Sequence, residues 1–240
     1  WIGIAGNLAL STAKILIGML SGSMAVIGDG IDSATDIVMS LITLFAAGIM
    51  ARPPDPEHPY GYGRAETVAT KLLSFMIFFA GAQFMISTVS RFQSIETLQK
   101  PDVAAVYVIL ASVAGKLVLS RVQHRMAKKS GSAMIEAIAK NMQNDILISL
   151  AVLLGLAFTF LMDMPIMDLL TAFGISIWVM KSALSLFLET SSEVMEETKD
   201  LSIYDTLFEI VSSVEGAHHP HRTRVRKLGD LFYIDMDIEV

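Results

Sequence analysis

Cysteine is absent from the chain, which removes disulfides, thiolate nucleophiles and soft thiolate metal sites from consideration. Charge is scarce too. Only 18% of the 240 residues are Asp, Glu, Lys or Arg, 53% are hydrophobic, and the mean hydropathy is +0.56. Such a balance excludes a wholly soluble globular chain and predicts a membrane protein. The formal net charge of −6 lacks the basic excess of a nucleic-acid binder, so no nucleic-acid partner is expected. Internal repeats and low-complexity tracts are also missing.

What the sequence has in abundance is long apolar runs. Windows of about 20 apolar residues fall at roughly 1 to 20, 24 to 49, 66 to 90, 101 to 121, 138 to 162 and 166 to 189. The first break, "GMLSGSM", is short and uncharged and suits a tight helix hairpin; the second, "ARPPDPEHPYGYGRAE", is rich in Pro and Gly and predicts a loop. The fourth, "RVQHRMAKKSGSAMIEAIAK", is read as a basic loop. Breaks two and four together carry Arg52, Arg64, Arg121, Arg125, Lys128, Lys129 and Lys140, whereas the others carry only Arg91 and Lys100. By the positive-inside rule, breaks two and four and both termini are predicted to be cytoplasmic.

Beyond Glu189 the pattern changes. Ser202 is expected to cap a helix bearing Ile203, Leu207, Ile210, Val211 and Val214 at helical spacing. Two strands should follow. In "LFYIDMDIEV", Phe232, Ile234, Met236, Ile238 and Val240 alternate with Tyr233, Asp235, Asp237 and Glu239, which predicts a half-buried strand. The expected fold is therefore mainly α and polytopic, with six transmembrane helices (1–190) followed by a small, partial α+β cytoplasmic domain (191–240). About 50 residues make a poor core alone, so docking, dimerisation or a continuation of the chain is expected.

Within the second run, "GDGIDSATD" places Asp29, Asp32 and Asp36 at i, i+3 and i+7, on one stripe of a helix. Each charged Asp at the bilayer centre costs about 2.5 to 3.5 kcal/mol, so three approach about 10 kcal/mol. Something must offset that cost. In the fifth run, "KNMQNDILISL" sets Asn141 and Asp145 one turn apart, mirroring Asp32 and Asp36. Two helices bearing oxygen donors at i and i+4 can converge four side chains on a divalent cation, with protons compensating when it is absent. The bland alternative is interhelical hydrogen bonding, or pairing with Lys71, Lys116 or Lys181, but the carboxylates outnumber those partners. Gln143 and Asn144 lie off the stripe and suit packing. Weaker metal candidates are Asp55, Glu57 and His58 in the second break, where a solvated turn is the plainer reading. His218, His219 and His221 in "GAHHPHR" form an imidazole cluster that would suit a transition metal.

Taken together, "MAVIGDGIDSATDIVMSLITL", "HPYGYGRAE" and "NMQND" resemble the cation diffusion facilitator family over nearly the whole chain. The resemblance implies a transport site of Asp32, Asp36, Asn141 and Asp145, with Asp29 usually outside the first coordination shell. It also implies a homodimer in membrane lipid, a cytoplasmic αββαβ domain of which the first helix and two strands are present, and metal export in exchange for protons. The expected setting is a bacterial inner membrane, with no enzyme activity and no prosthetic cofactor. Two departures from the family stand out. Zinc-transporting relatives carry His where this chain has Asn141, and an all-oxygen set favours Mn²⁺, then Fe²⁺, over Zn²⁺, with Co²⁺ and Cd²⁺ left open. Tyr62 replaces a His of the family's peripheral site, which leaves Asp55 and His58 there. In the cytoplasmic domain, His218 matches a family ligand.

Two rival readings belong to other classes. A metal sensor or scaffold of the same fold would bind without transporting. An intramembrane aspartyl protease would need two Asp on different helices in contact, whereas here each helix also brings a second donor one turn away.

Overall fold

The computed structural model describes the backbone of residues 2–94, 98–130, 133–198, 200–228 and 231–240; the side chains of residues 2–3, 123–124, 126–130, 133–144, 227–228 and 231 lie outside that description. Six long helices come first: α1 (Ile2–Ser21), α2 (Met24–Met50), α3 (Ala65–Phe92), α4 (Ala104–Ser130), α5 (Ala133–Leu161) and α6 (Ile166–Val194). A short helix α7 (Ser202–Ser212) and strands β1 (His218–Leu228) and β2 (Leu231–Glu239) follow. Among the described residues α1, α2, α3, α4 and α6 are each long and apolar enough to cross a membrane, and the described apolar part of α5 is Asp145–Leu161. The protein is a polytopic membrane protein with a small C-terminal domain.

The six runs reappear as six helices, with one correction. The basic stretch 121–140, expected as a loop, is helical apart from residues 131–132, which lie outside the described residues, because α4 continues to Ser130 and α5 begins at Ala133. Arg, Lys, Gln, Met, Ala and Glu are strong helix formers. Hydropathy marks where a span leaves hydrocarbon, not where its helix stops.

Two compact units make up the chain. The first comprises residues Trp1–Leu41 and Leu73–Leu184, where α4 packs against both α1 and α5. Its burial is inverted relative to a soluble protein: Phe79, Leu154 and Leu161 are exposed, whereas Lys14, Asp29 and Lys116 are 0%, 0% and 1% exposed. Apolar side chains outward and charges inward is the distribution a lipid solvent selects. At the turn between α1 and α2, Gly22 takes φ +75°, and Ser23 Oγ accepts from Val26 N at 3.2 Å to cap α2. Asp168 at the start of α6 closes the same cap, accepting from Ser23 Oγ at 2.5 Å and Met24 N at 2.7 Å. Met24 then packs with Phe84, Leu169 and Ala172 in a buried apolar cluster.

The second unit comprises Ile42–Leu72 and Ser185–Val240. Here β1 and β2 pair antiparallel, with irregularities between His218 and His221 and between His221 and Arg224; His219 and Arg222 take φ of 49° and 51° there. Arg226 stacks over the Tyr60 and Tyr233 rings, and Arg64 forms an ion pair with Glu196. Two expectations fail in this unit. The N-cap of α7 is Leu201 rather than Ser202; Asp200 Oδ1 instead accepts from the amide and hydroxyl of Ser202, at 3.0 and 2.7 Å. Those bonds hold the Asp200 carboxyl below the usual range. The alternation of β2 is present, but Phe232, Ile234 and Ile238 are 53%, 46% and 42% exposed, so its apolar face is not half-buried by this chain.

Candidate metal centre

Helical spacing alone sets the α2 stripe. Asp29, Asp32 and Asp36 descend one face of α2, and Asp29 is fully buried while Asp32 and Asp36 are half-buried. Across from them α5 presents Asp145, 7% exposed, whose carboxyl is close enough to that of Asp36 for the two to interact electrostatically. Neighbouring carboxyl groups in a water-poor interior are relieved by a proton or a cation, since two bare negative charges would repel. Asp32, one turn before Asp36, lies within Coulombic reach of Asp145.

Asp29 plays a different part. Its Oδ2 is 2.8 Å from Lys14 Nζ, both side chains being wholly buried, and Ser149 Oγ on α5 donates to its two oxygens at 3.0 Å each. Lys14 also donates to Ser33 Oγ at 3.1 Å and to Ser149 Oγ at 3.4 Å. With its oxygens taken up in this way, Asp29 ties α1, α2 and α5 together. Gly30 permits the close approach: a Cβ there would sit 2.7 Å from Ile15 Cγ1 and 3.2 Å from Lys14 Cβ, and Ser11 Oγ donates to the Gly30 carbonyl at 2.8 Å. Lys14 is absent from the partners that spacing suggested, although a lone Lys inside an apolar run is itself the signal for an intramembrane ion pair. Lys116, on α4, donates to the Asp145 carbonyl oxygen at 3.3 Å.

Asn141 falls within α5, and its side chain lies outside the described residues, as do those of Gln143 and Asn144. Among the described residues no three His, Asp or Glu side chains converge as a group able to hold an ion. What the structure brings together is the Asp36–Asp145 pair with Asp32 beside it.

Asp55 and His58 sit in the loop before α3. Asp55 Oδ1 accepts from the amides of Glu57 and His58 at 3.1 and 2.7 Å and lies 3.3 Å from His58 Nδ1, while Oδ2 accepts from Tyr62 hydroxyl at 2.6 Å. The Tyr62 bond foremost, and then the His58 amide, hold the Asp55 carboxyl below the usual range; the same bond pushes the Tyr62 hydroxyl up. Tyr62 therefore spends a carboxylate oxygen that an ion would otherwise use. In the hairpin, His218 faces Glu239 and His221 faces Asp237 in register. His221 Nδ1 is 2.7 Å from the His219 carbonyl, and its Nε2 is 4.0 Å from Asp237 Oδ2, a loose and exposed arrangement.

Comparison with known proteins adds an independent finding. Residues 1–195 match the family described as the cation efflux transmembrane domain. The manganese efflux system protein MneS of Bacillus subtilis is 31% identical over the whole of this chain and 81% of its own length. The same organism's MneP is 25% identical over the whole chain and 82% of its own length. The magnetosome protein MamB of a Magnetospira species is 27% identical over the whole chain and 81% of its length.

Proposed function

Because the chain belongs to the cation efflux family, whose members are multi-pass membrane transporters of metal cations and not enzymes, we propose that it exports a divalent transition metal, Mn²⁺ first and Fe²⁺ next, in exchange for protons. The observation that carries this reading is the juxtaposition of Asp36 on α2 with the buried Asp145 on α5, with Asp32 one turn before Asp36. Carboxyl groups held in a water-poor interior are costly as bare anions, and both protons and a divalent cation relieve that cost. Competition for the same oxygens makes exchange of one for the other the natural cycle, with access alternating between the two membrane faces.

The ion's ligands in this reading are Asp32, Asp36, Asn141 and Asp145. Oxygen donors suit Mn²⁺ better than Zn²⁺, which prefers nitrogen and sulfur, and two relatives bear manganese efflux names. Further parts of the proposal are a transport domain over 1–190, a partial cytoplasmic domain over 191–240, cytoplasmic termini, a homodimer, and a bacterial inner membrane. The test is reconstitution in vesicles under an imposed pH gradient, comparing Mn²⁺, Fe²⁺, Zn²⁺, Co²⁺ and Cd²⁺. Mn²⁺ flux that dissipates the gradient is expected. Binding of Mn²⁺ without flux would support a sensor instead.

A further inference from the structure

Among the described residues, Lys116 is the one charge beside the carboxylates that neither the transport reading nor the Asp29 pairing uses. It sits in α4 with 1% of its surface exposed. Its ammonium bonds the Asp145 carbonyl at 3.3 Å and lies within Coulombic reach of the Asp32, Asp36 and Asp145 carboxyls. Its bond is to the Asp145 main-chain carbonyl and not to the carboxyl.

The charge inventory then divides cleanly. Lys14 and Asp29 close on each other at 2.8 Å, with hydroxyls of Ser33 and Ser149 completing the pair, so together they contribute no net charge. Among the described residues, what remains is three carboxylates, Asp32, Asp36 and Asp145, and one ammonium, Lys116. Fully ionised, they carry a formal charge of two minus, the complement of a single divalent cation.

We propose that Lys116 sets the valence preference of the site: its tethered positive charge offsets one carboxylate, so that a divalent ion, and not a trivalent one, neutralises the interior. Charge imbalance is penalised most where water is excluded. A monovalent ion would leave one negative charge unmatched and a trivalent ion one positive charge. Lys116 is thus a specificity-determining residue acting through the field at the ligands, and it need not touch the ion. The proposal rests on the reading of Asp32, Asp36 and Asp145 as the transport site.

The experiment uses the full chain in detergent and in vesicles, with Mn²⁺ and Tb³⁺ as probes in competition titrations. Lys116→Met should move the Tb³⁺ to Mn²⁺ affinity ratio toward Tb³⁺ by about tenfold or more. For Mn²⁺ flux it should lower KM and kcat together, because the ion is bound more tightly and released more slowly. Lys116→Arg, which keeps the charge, should retain the parent's ratio. A folded Lys116→Met protein with an unchanged ratio overturns the proposal. Should that variant be unstable, Lys116→Gln takes its place, and Tb³⁺ must then raise its thermal midpoint, relative to Mn²⁺, more than it does for the parent; an equal shift also overturns the proposal. The two levels fail differently. If the parent shows no saturable Mn²⁺ binding, or Asp36→Ala leaves binding untouched, the site reading falls and takes this proposal with it; intact Mn²⁺ binding with an unmoved ratio removes only the valence assignment.

Discussion

Lys14 Nζ on α1 and Asp29 Oδ2 on α2 form an ion pair of 2.8 Å from which solvent is wholly excluded. Removing one partner leaves the other as an uncompensated buried charge, which costs about 3 to 5 kcal/mol. Lys14→Met should therefore lower the thermal midpoint of the purified protein strongly. Lys14→Met combined with Asp29→Asn should recover most of the loss, since an amide can still accept from Ser149. Equal midpoints for the single and double variants would mean that the pair is not a unit.

Asp36 and Asp145 carry the opposite expectation. Taking a carboxylate out of the interior removes a cost instead of a partner, so Asp36→Ala and Asp145→Ala should fold at least as well as the parent while Mn²⁺ flux disappears. Vesicle uptake and thermal unfolding, measured on the same preparations, check both halves. Parent-rate flux from either folded variant would remove that residue from the site.

Selectivity turns on Asn141. Asn141→His exchanges an amide oxygen for an imidazole nitrogen one turn from Asp145, and Zn²⁺ prefers nitrogen donors. The Zn²⁺ to Mn²⁺ flux ratio should rise about tenfold, equivalent to about 1.4 kcal/mol. A ratio that stays put would deny Asn141 a ligand role and withdraw the main chemical support for manganese.

The loop before α3 should respond to acid in a defined direction. Asp55 is held as a carboxylate by Tyr62 and the His58 amide. Its folded-state value is depressed, so its contribution is complete above the unfolded value of about 3.9 and is lost as pH falls through the lower, folded one. Proteolysis of the loop should stay slow at pH 5 and accelerate only below about pH 4. Tyr62→Phe should raise the titration midpoint of Asp55, read by carboxyl carbon NMR. No movement would mean that the Tyr62 bond does not form in solution.

The spans and the carboxylate stripe were legible because both depend on short-range periodicity: hydropathy over about 20 residues and the i, i+3, i+7 spacing of one helix. The Lys14–Asp29 pair was not, since 15 positions of separation say nothing about which helices touch; adjacency came from Gly30, whose missing side chain is uninformative until a neighbour is known. β2 was readable from its alternation, yet the exposure of Phe232 and Ile234 depends on what covers the sheet, which no single strand encodes. Ser202 does not cap α7 because it lies one position past the N-cap Leu201, inside the helix, where its hydroxyl donates to Asp200 instead of accepting from an amide.

The contact at Gly30 also limits how the bundle can open. A methyl group there would already be 3.1 Å from the Ile15 backbone nitrogen, so the seam between α1 and α2 is thinner than a water molecule or an acyl chain. A rearrangement that admits an ion cannot split that seam without breaking the Ser11 bond to the Gly30 carbonyl and the Lys14–Asp29 pair. The two helices therefore form one plank, and the bonds from Ser149 to Asp29 hold the neighbouring turn of α5 against it.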